Sequence, residues 1–259
     1  SVTINTLGTH FYGNTISGIK LSSYPGSFSM IGNPYVSPVS FSSVISNATD
    51  INSMYWYFDP TVGTRGAYIV WDGSVNSGAG IGSVADDRIQ SGQAFFIQNK
   101  EILSTTPSVS FQEEDKRIDA APVPVFKTTA GNQMVIGLWK DTGVLAKGMD
   151  GCVIVFDNQF GAFASGEDAS KMVNPDENIA VNIHDTLLAI DKRPEPVAGD
   201  TIALNLWQMQ LGSNYQLQID LHNINCINSL HVHLHDAYLN HNTVLYAGNI
   251  HSIPFNIVA

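Results

Sequence analysis

Apolar and polar residues alternate with a period of two along most of the chain, the pattern of strands that bury one face. Ala67-Tyr68-Ile69-Val70-Trp71, Ala94-Phe95-Phe96-Ile97-Gln98 and Met134-Val135-Ile136-Gly137-Leu138-Trp139 are clear cases. So are Cys152-Val153-Ile154-Val155-Phe156, the run from Thr201 to Trp207, and Tyr215-Gln216-Leu217-Gln218-Ile219-Asp220. Turn formers punctuate these runs, among them Pro25-Gly26, Asn33-Pro34, Asp72-Gly73, Asp141-Thr142-Gly143 and Gly212-Ser213-Asn214. Helical spacing is confined to residues 40–45, enough for one turn, and 162–172, enough for one or two. Many short strands between turns predict an all-β, jelly-roll-like β-sandwich with minimal helix.

The pattern breaks once. The charged run Gln112-Glu113-Glu114-Asp115-Lys116-Arg117-Ile118-Asp119 leads into Ala120-Ala121-Pro122-Val123-Pro124, whose alternating prolines suit a stiff connector or a crossing between sheets. Two packed sub-domains are therefore expected, 1–119 and 120–259.

Composition agrees with this picture and narrows the partners. Only 14% of the 259 residues are charged, against 22 Gly and 11 Pro, which is unlike a helical protein. A chain of this length buries roughly 70–75% of its unfolded surface and folds without a metal or disulfide cage. The net charge of −11 argues against nucleic acid, which is held by clustered Lys and Arg, and against docking on anionic lipid. No apolar run is long enough for a membrane helix, so no membrane insertion is expected. The chain opens in mid-pattern at Ser1-Val2-Thr3-Ile4-Asn5, as if a signal or earlier domains had been removed.

Three segments in order resemble a module of large surface proteins of Bacteroidota exported by the type IX secretion system. Phe28-Ser29-Met30-Ile31-Gly32-Asn33-Pro34-Tyr35-Val36-Ser37-Pro38 is similar to that family's W-N-L-hydrophobic-G-N-P-Y-P-S-P signature, with Phe28 in the place of Trp. Met54–Asp59, Ala67–Gly73 and Ile89-Gln90-Ser91-Gly92-Gln93-Ala94-Phe95-Phe96-Ile97 resemble its aromatic and I-x-x-G-Q-x-F-F-V strands. Gly161–Met172 is similar to its acidic, Gly-rich loop, and Leu234-His235-Asp236-Ala237-Tyr238-Leu239 to its L-x-D-x-Y-L strand. The resemblance spans residue 20 to the end and implies surface display and adhesion; the family's usual C-terminal sorting domain does not follow Ala259. It supplies neither a ligand nor catalytic residues. In physical terms Gly32-Asn33-Pro34 reads as a sharp turn, with Gly tolerating positive φ.

Candidate chemistry is scattered. In Leu230-His231-Val232-His233-Leu234-His235-Asp236, strand geometry sets His231, His233 and His235 on one face about 6.6–6.8 Å apart, with Val232 and Leu234 on the other. Such a row can hold zinc if a neighbouring strand adds a ligand; the alternative is a wet face over a core. Turn carboxylates, with Asp86 and Asp87 foremost, are candidates for a structural calcium, although no EF-hand or nonapeptide spacing appears. Of the aromatics in residues 55–71, Trp56 and Trp71 are candidates to stack on sugars, against the alternative that they fill the core at about 150–250 Å² each. Cys152 and Cys226 are either two buried thiols or a disulfide. Thr186 and Thr201, in Asp185-Thr186-Leu187 and Asp200-Thr201-Ile202, fit the D-T-aliphatic pattern of O-glycosylation in these bacteria.

No nucleophile elbow, His-Glu-x-x-His helix or Walker loop appears. The expectation is a non-enzymatic extracellular module for adhesion or structural assembly at the cell surface. Its partners would be surface glycans, other surface proteins or further copies of itself. The rival expectations are a carbohydrate-binding accessory module of a secreted enzyme and a metal-dependent hydrolase built on His231 and His233.

Overall fold

The computed structural model describes residues 16–75, 77–79, 85–117, 132–143, 145–222, 224–227 and 230–258. Strand makes up 47% of the described residues and helix 4%, so the protein is all-β, as the period-two pattern predicts. In chain order the elements are β1 (Phe28–Gly32), β2 (Val39–Ser40), helix α1 (Phe41–Ser46), β3 (Ile51–Asp59), β4 (Ala67–Asp72), β5 (Ser77–Ala79), β6 (Arg88–Ile89) and β7 (Ala94–Asn99). After a 3₁₀ turn at Glu113–Asp115 come β8 (Gln133–Asp141), β9 (Ala146–Phe156), β10 (Ala169–Ser170), β11 (Asn178–Ile183) and β12 (Thr186–Arg193). The last are β13 (Ala203–Trp207), β14 (Asn214–Asp220), β15 (Val232–Asp236), β16 (His241–Leu245) and β17 (Ile250–Asn256).

Two compact units divide the chain, and the division is not a single cut. Residues 1–55 and 87–123 form the first, while 56–86 join 124–259 in the second. The passage from one to the other falls inside β3. The second crossing, at 123/124, lies near the expected boundary at 119, although the proline connector at 120–124 lies outside the described residues. Sequence reading had no signal for the excursion of 56–86.

In the first unit β1 pairs antiparallel with β7, and β2 with β6. Helix α1 starts where Ser40 accepts a hydrogen bond from the Ser43 amide, an ordinary N-cap. The rings of Phe41, Tyr55 and Phe95 meet at centroid distances of 4.9–6.1 Å and form its aromatic core. The Gly32-Asn33-Pro34 turn works differently from the expectation. Gly32 keeps ordinary strand backbone at the end of β1. The buried Asn33 side chain instead donates to the Ser37, Ile89 and Gln90 carbonyls and accepts from the Tyr35 amide.

In the second unit an eight-stranded sheet runs β13-β11-β12-β9-β8-β14-β17, with β10 beside β12. All its pairings are antiparallel except β9 with β12. Alternation along β14 is plain: Tyr215, Leu217 and Ile219 are buried between less buried neighbours. These three join Ile136, Leu138, Cys152, Ile154 and Val181 in the main core, onto which the β15–β16 hairpin lays Val232, Leu234 and Leu245. Strand β5 approaches β9 and β12, which makes this unit sandwich-like. The spacing at 162–172 yields turns and the short β10 rather than a helix, because Asp168 and Ser165 bond each other's backbone in a tight loop.

Leu138 sits fully buried in the middle of β8. Leu138→Ala should cost about 2–5 kcal/mol, measured as a lower urea midpoint at unchanged m. His233→Ala, on the exposed face of β15, should move the midpoint by less than about 0.5 kcal/mol.

Candidate functional site

The chemically rich places in the second unit are interior rather than in a cleft. Charged residues at strand ends and in turns are drawn inward and paired, as burial requires. Lys171 Nζ donates to Asp150 Oδ1 at 2.6 Å, and the other oxygen of Asp150 accepts the Ile179 amide at 2.7 Å. Glu177, fully buried, takes Lys140 Nζ at 2.9 Å and the Tyr215 hydroxyl at 2.6 Å on one oxygen. Burial opposes its ionisation, but the bonds from Tyr215 and Lys140 prevail and hold its carboxyl below the usual value. Arg65 binds the Asp176 carboxylate through its side chain, and the Thr64 and Arg65 amides donate to the same carboxylate.

A second group surrounds β12. Lys192 Nζ lies 2.6 Å from Asp72 Oδ2, with the two side chains 2% and 0% exposed, and it donates to Ser74 Oγ at 2.7 Å. Ser74 also donates to Asp72 Oδ1 through its hydroxyl at 2.8 Å and its amide at 2.9 Å. The Phe160 ring lies 5.7 Å from Lys192 Nζ. On either side of Lys192 in sequence, Asp191 and Arg193 pair at 2.6 Å. Asp168 accepts the Lys192 amide at 2.7 Å and the Ser165 amide at 2.8 Å. Burial nevertheless pushes the Asp168 carboxyl up to about 6, with the Asp191 charge adding to the effect.

The residues singled out in the sequence are not brought together. His233 and His235 lie exposed on β15, while Val232 and Leu234 turn to the core. His235 Nδ1 contacts Asn242 Oδ1 at 2.8 Å, and His231 is exposed just before the strand. Among the described residues no three His, Cys, Asp or Glu side chains gather to hold a metal ion. Asp87 has a different task from the expected calcium ligand. It receives the Ser42 amide at 2.7 Å, the Ser40 hydroxyl at 2.6 Å and Arg117 at 3.0 Å, so it caps α1 and its oxygens already face donors. Asp86 falls in the other unit.

Trp56 and Trp71, candidates either to stack on sugars or to fill the core, are 1% and 2% exposed: both lie on strand faces turned inward, which corrects the sugar-stacking candidacy and leaves the core alternative. Trp56 Nε1 donates to the Ser170 carbonyl at 3.1 Å. The cysteines are two free thiols rather than a disulfide. Cys152 is buried in mid-strand on β9, where burial raises its thiol far above the usual range, and Cys226 lies half-buried in the loop after β14. Thr186 and Thr201 are both exposed, Thr186 directly after the tight β11–β12 turn at His184 and Asp185, whose φ values are 47° and 69°.

Sequence reading missed Asp72, Asp168, Lys171, Glu177, Asp191 and Lys192 as interior groups. The available signal was charge inside an apolar strand pattern, as in Leu188-Ala189-Ile190-Asp191-Lys192.

A carboxyl whose value is raised on folding binds its proton more tightly in the folded state, so acid favours the fold at that group. For Asp168 this contribution is complete below the ordinary value of 3.8 and is lost as pH rises through about 6. Urea midpoints of the wild type relative to Asp168→Asn should therefore fall as pH is raised from 4 to 7. A difference that stays flat or rises would contradict the raised value.

The chain matches no known protein family, no curated protein and no solved structure.

Proposed function

We propose that this chain is a non-catalytic module of an extracellular surface protein, acting by contact in adhesion or structural assembly at the bacterial cell surface. The observation that carries the reading is where apolar side chains meet solvent. In the second unit Leu211, Tyr238, Leu239, Val244, Tyr246, Ile250 and Val258 are exposed, with Tyr238 at 86% and Tyr246 at 64%. They belong to the last strands and turns of the chain, and β17 ends the eight-stranded sheet on that side. An edge strand offers a row of backbone donors and acceptors to another strand, and apolar side chains beside it favour protein contact.

Two further observations support the same reading. The buried carboxylates and ammonium groups pair with one another, which suits a scaffold. The ordered motifs from Gly32-Asn33-Pro34 to Asp236-Ala237-Tyr238 resemble surface-protein modules, which is the support for a cell-surface location. The glycan-stacking alternative rested on Trp56 and Trp71, which lie in the interior.

The two ends of the sheet differ. Pro254 removes one donor from β17, whereas β13 at the opposite end has no proline. Light scattering on the concentrated chain should show association that strengthens with salt, since copies carrying −11 repel each other until screened. Ala203→Lys on β13 or Ile250→Lys on β17 should reduce association at the edge that is used. A chain that stays monomeric at every concentration and salt would sink the assembly reading.

A further inference from the structure

Two buried lysine–carboxylate pairs in the second unit share the same separation and differ in geometry. In Lys171–Asp150 the ammonium donates along a hydrogen-bonding direction, and both carboxylate oxygens have donors. In Lys192–Asp72 the nitrogen is equally close to Oδ2, at 2.6 Å, yet Oδ2 accepts no hydrogen bond. The ammonium therefore meets Oδ2 as an ion pair outside hydrogen-bonding geometry. The opposite oxygen, Oδ1, takes both donors of Ser74, and the same Ser74 hydroxyl accepts from Lys192 Nζ. Amine, hydroxyl and carboxyl thus form a closed path: Nζ to Ser74 Oγ to Asp72 Oδ1.

We propose that Lys192 and Asp72 join covalently, as an amide formed within the folded chain. The surroundings suit the step. Both side chains are removed from water, and amide formation replaces a buried ion pair by a neutral group. A neutral lysine amine is a competent nucleophile, and the fold holds it against one carboxyl, replacing a bimolecular encounter by a unimolecular one. Nζ attacks Asp72 Cγ and the N–C bond forms. Two nitrogen protons travel through the Ser74 hydroxyl to Oδ1. The Cγ–Oδ1 bond then breaks, and Oδ1 leaves as water. Oδ2 becomes the amide carbonyl and nitrogen keeps one hydrogen. One ammonium and one carboxylate give one amide and one water, so no oxidant, metal or cofactor is required.

The link would tie the end of β4 to β12, residues 120 positions apart in the chain but in one compact unit. It goes beyond the contact function, giving the unit a covalent clamp between two sheets that does not depend on the cysteines, which are free.

Intact mass spectrometry of the denatured full chain tests it. The expected mass is that of the sequence less one water. Proteolysis should yield the peptide containing Asp72 joined to the peptide containing Lys192. Lys192→Arg and Asp72→Ala should each restore the full mass, and Ser74→Ala should slow the loss of water in freshly refolded protein. A wild-type chain of full mass overturns the proposal. So does a water lost with the two peptides separate, because Asp72-Gly73 is a dipeptide that can close on itself as a succinimide. The wild-type mass and peptide map decide the matter even if a variant fails to fold. A Ser74→Ala chain that closes at the wild-type rate overturns the relay through Ser74.

Discussion

A charge removed from water must be matched by another charge in the right place, and in the second unit this requirement fixes how the sheets meet. Lys192 on β12 and Asp72 on β4 are both fully interior, so neither can be buried unless the other arrives. A slip of one residue in either strand would turn the side chain to the opposite face and strand its partner in the interior, at about 3–5 kcal/mol for a broken buried pair. Apolar packing also resists a slip of one residue, but a slip of two keeps the same face inward, whereas either slip separates a pair of charges. The same logic applies to Lys171 with Asp150, whose second oxygen is spoken for by the Ile179 amide at the start of β11.

This requirement also explains the unexpected division of the chain. Residues 56–86 leave the first half of the sequence because their polar groups are completed by the C-terminal half. Trp56 donates to Ser170, the Tyr68 amide to Asn174, Arg65 to Asp176, and Lys192 reaches Asp72 and Ser74. Buried polar groups demand partners, and for this segment the partners lie more than a hundred positions away.

The strands were legible because burial of one face writes a period of two into the sequence. The runs at Ala67, Ala94, Met134, Cys152 and Tyr215 all became strands where the alternation places them. What the period does not carry is which sheet a strand joins, since that depends on partners far along the chain. Alternation also does not say which of two faces is the wet one. Trp56 and Trp71 sit among aromatics on both faces, and their interior location is decided by what packs over β3 and β4. Charge in a strand was readable as unusual, but only the fold shows that Lys192 meets Asp72 while Asp87 spends its oxygens on α1.

Interior and edge then divide the labour of the second unit. Lys140, Lys171, Lys192 and Arg193 are drawn inward to satisfy carboxylates, and since each takes one carboxylate with it, the net charge of −11 stays on the outside. The outside is left acidic, with apolar side chains gathered along the last strands. An acidic surface repels its own copies at long range, so the proposed contact would be made where charge is sparse and short-range forces dominate. The β17 edge of the eight-stranded sheet, with Ile250 exposed on it and the exposed Tyr246 beside His251, meets that condition. A rigid interior matters for such a contact, because an edge that frayed under load would lose the backbone row it presents.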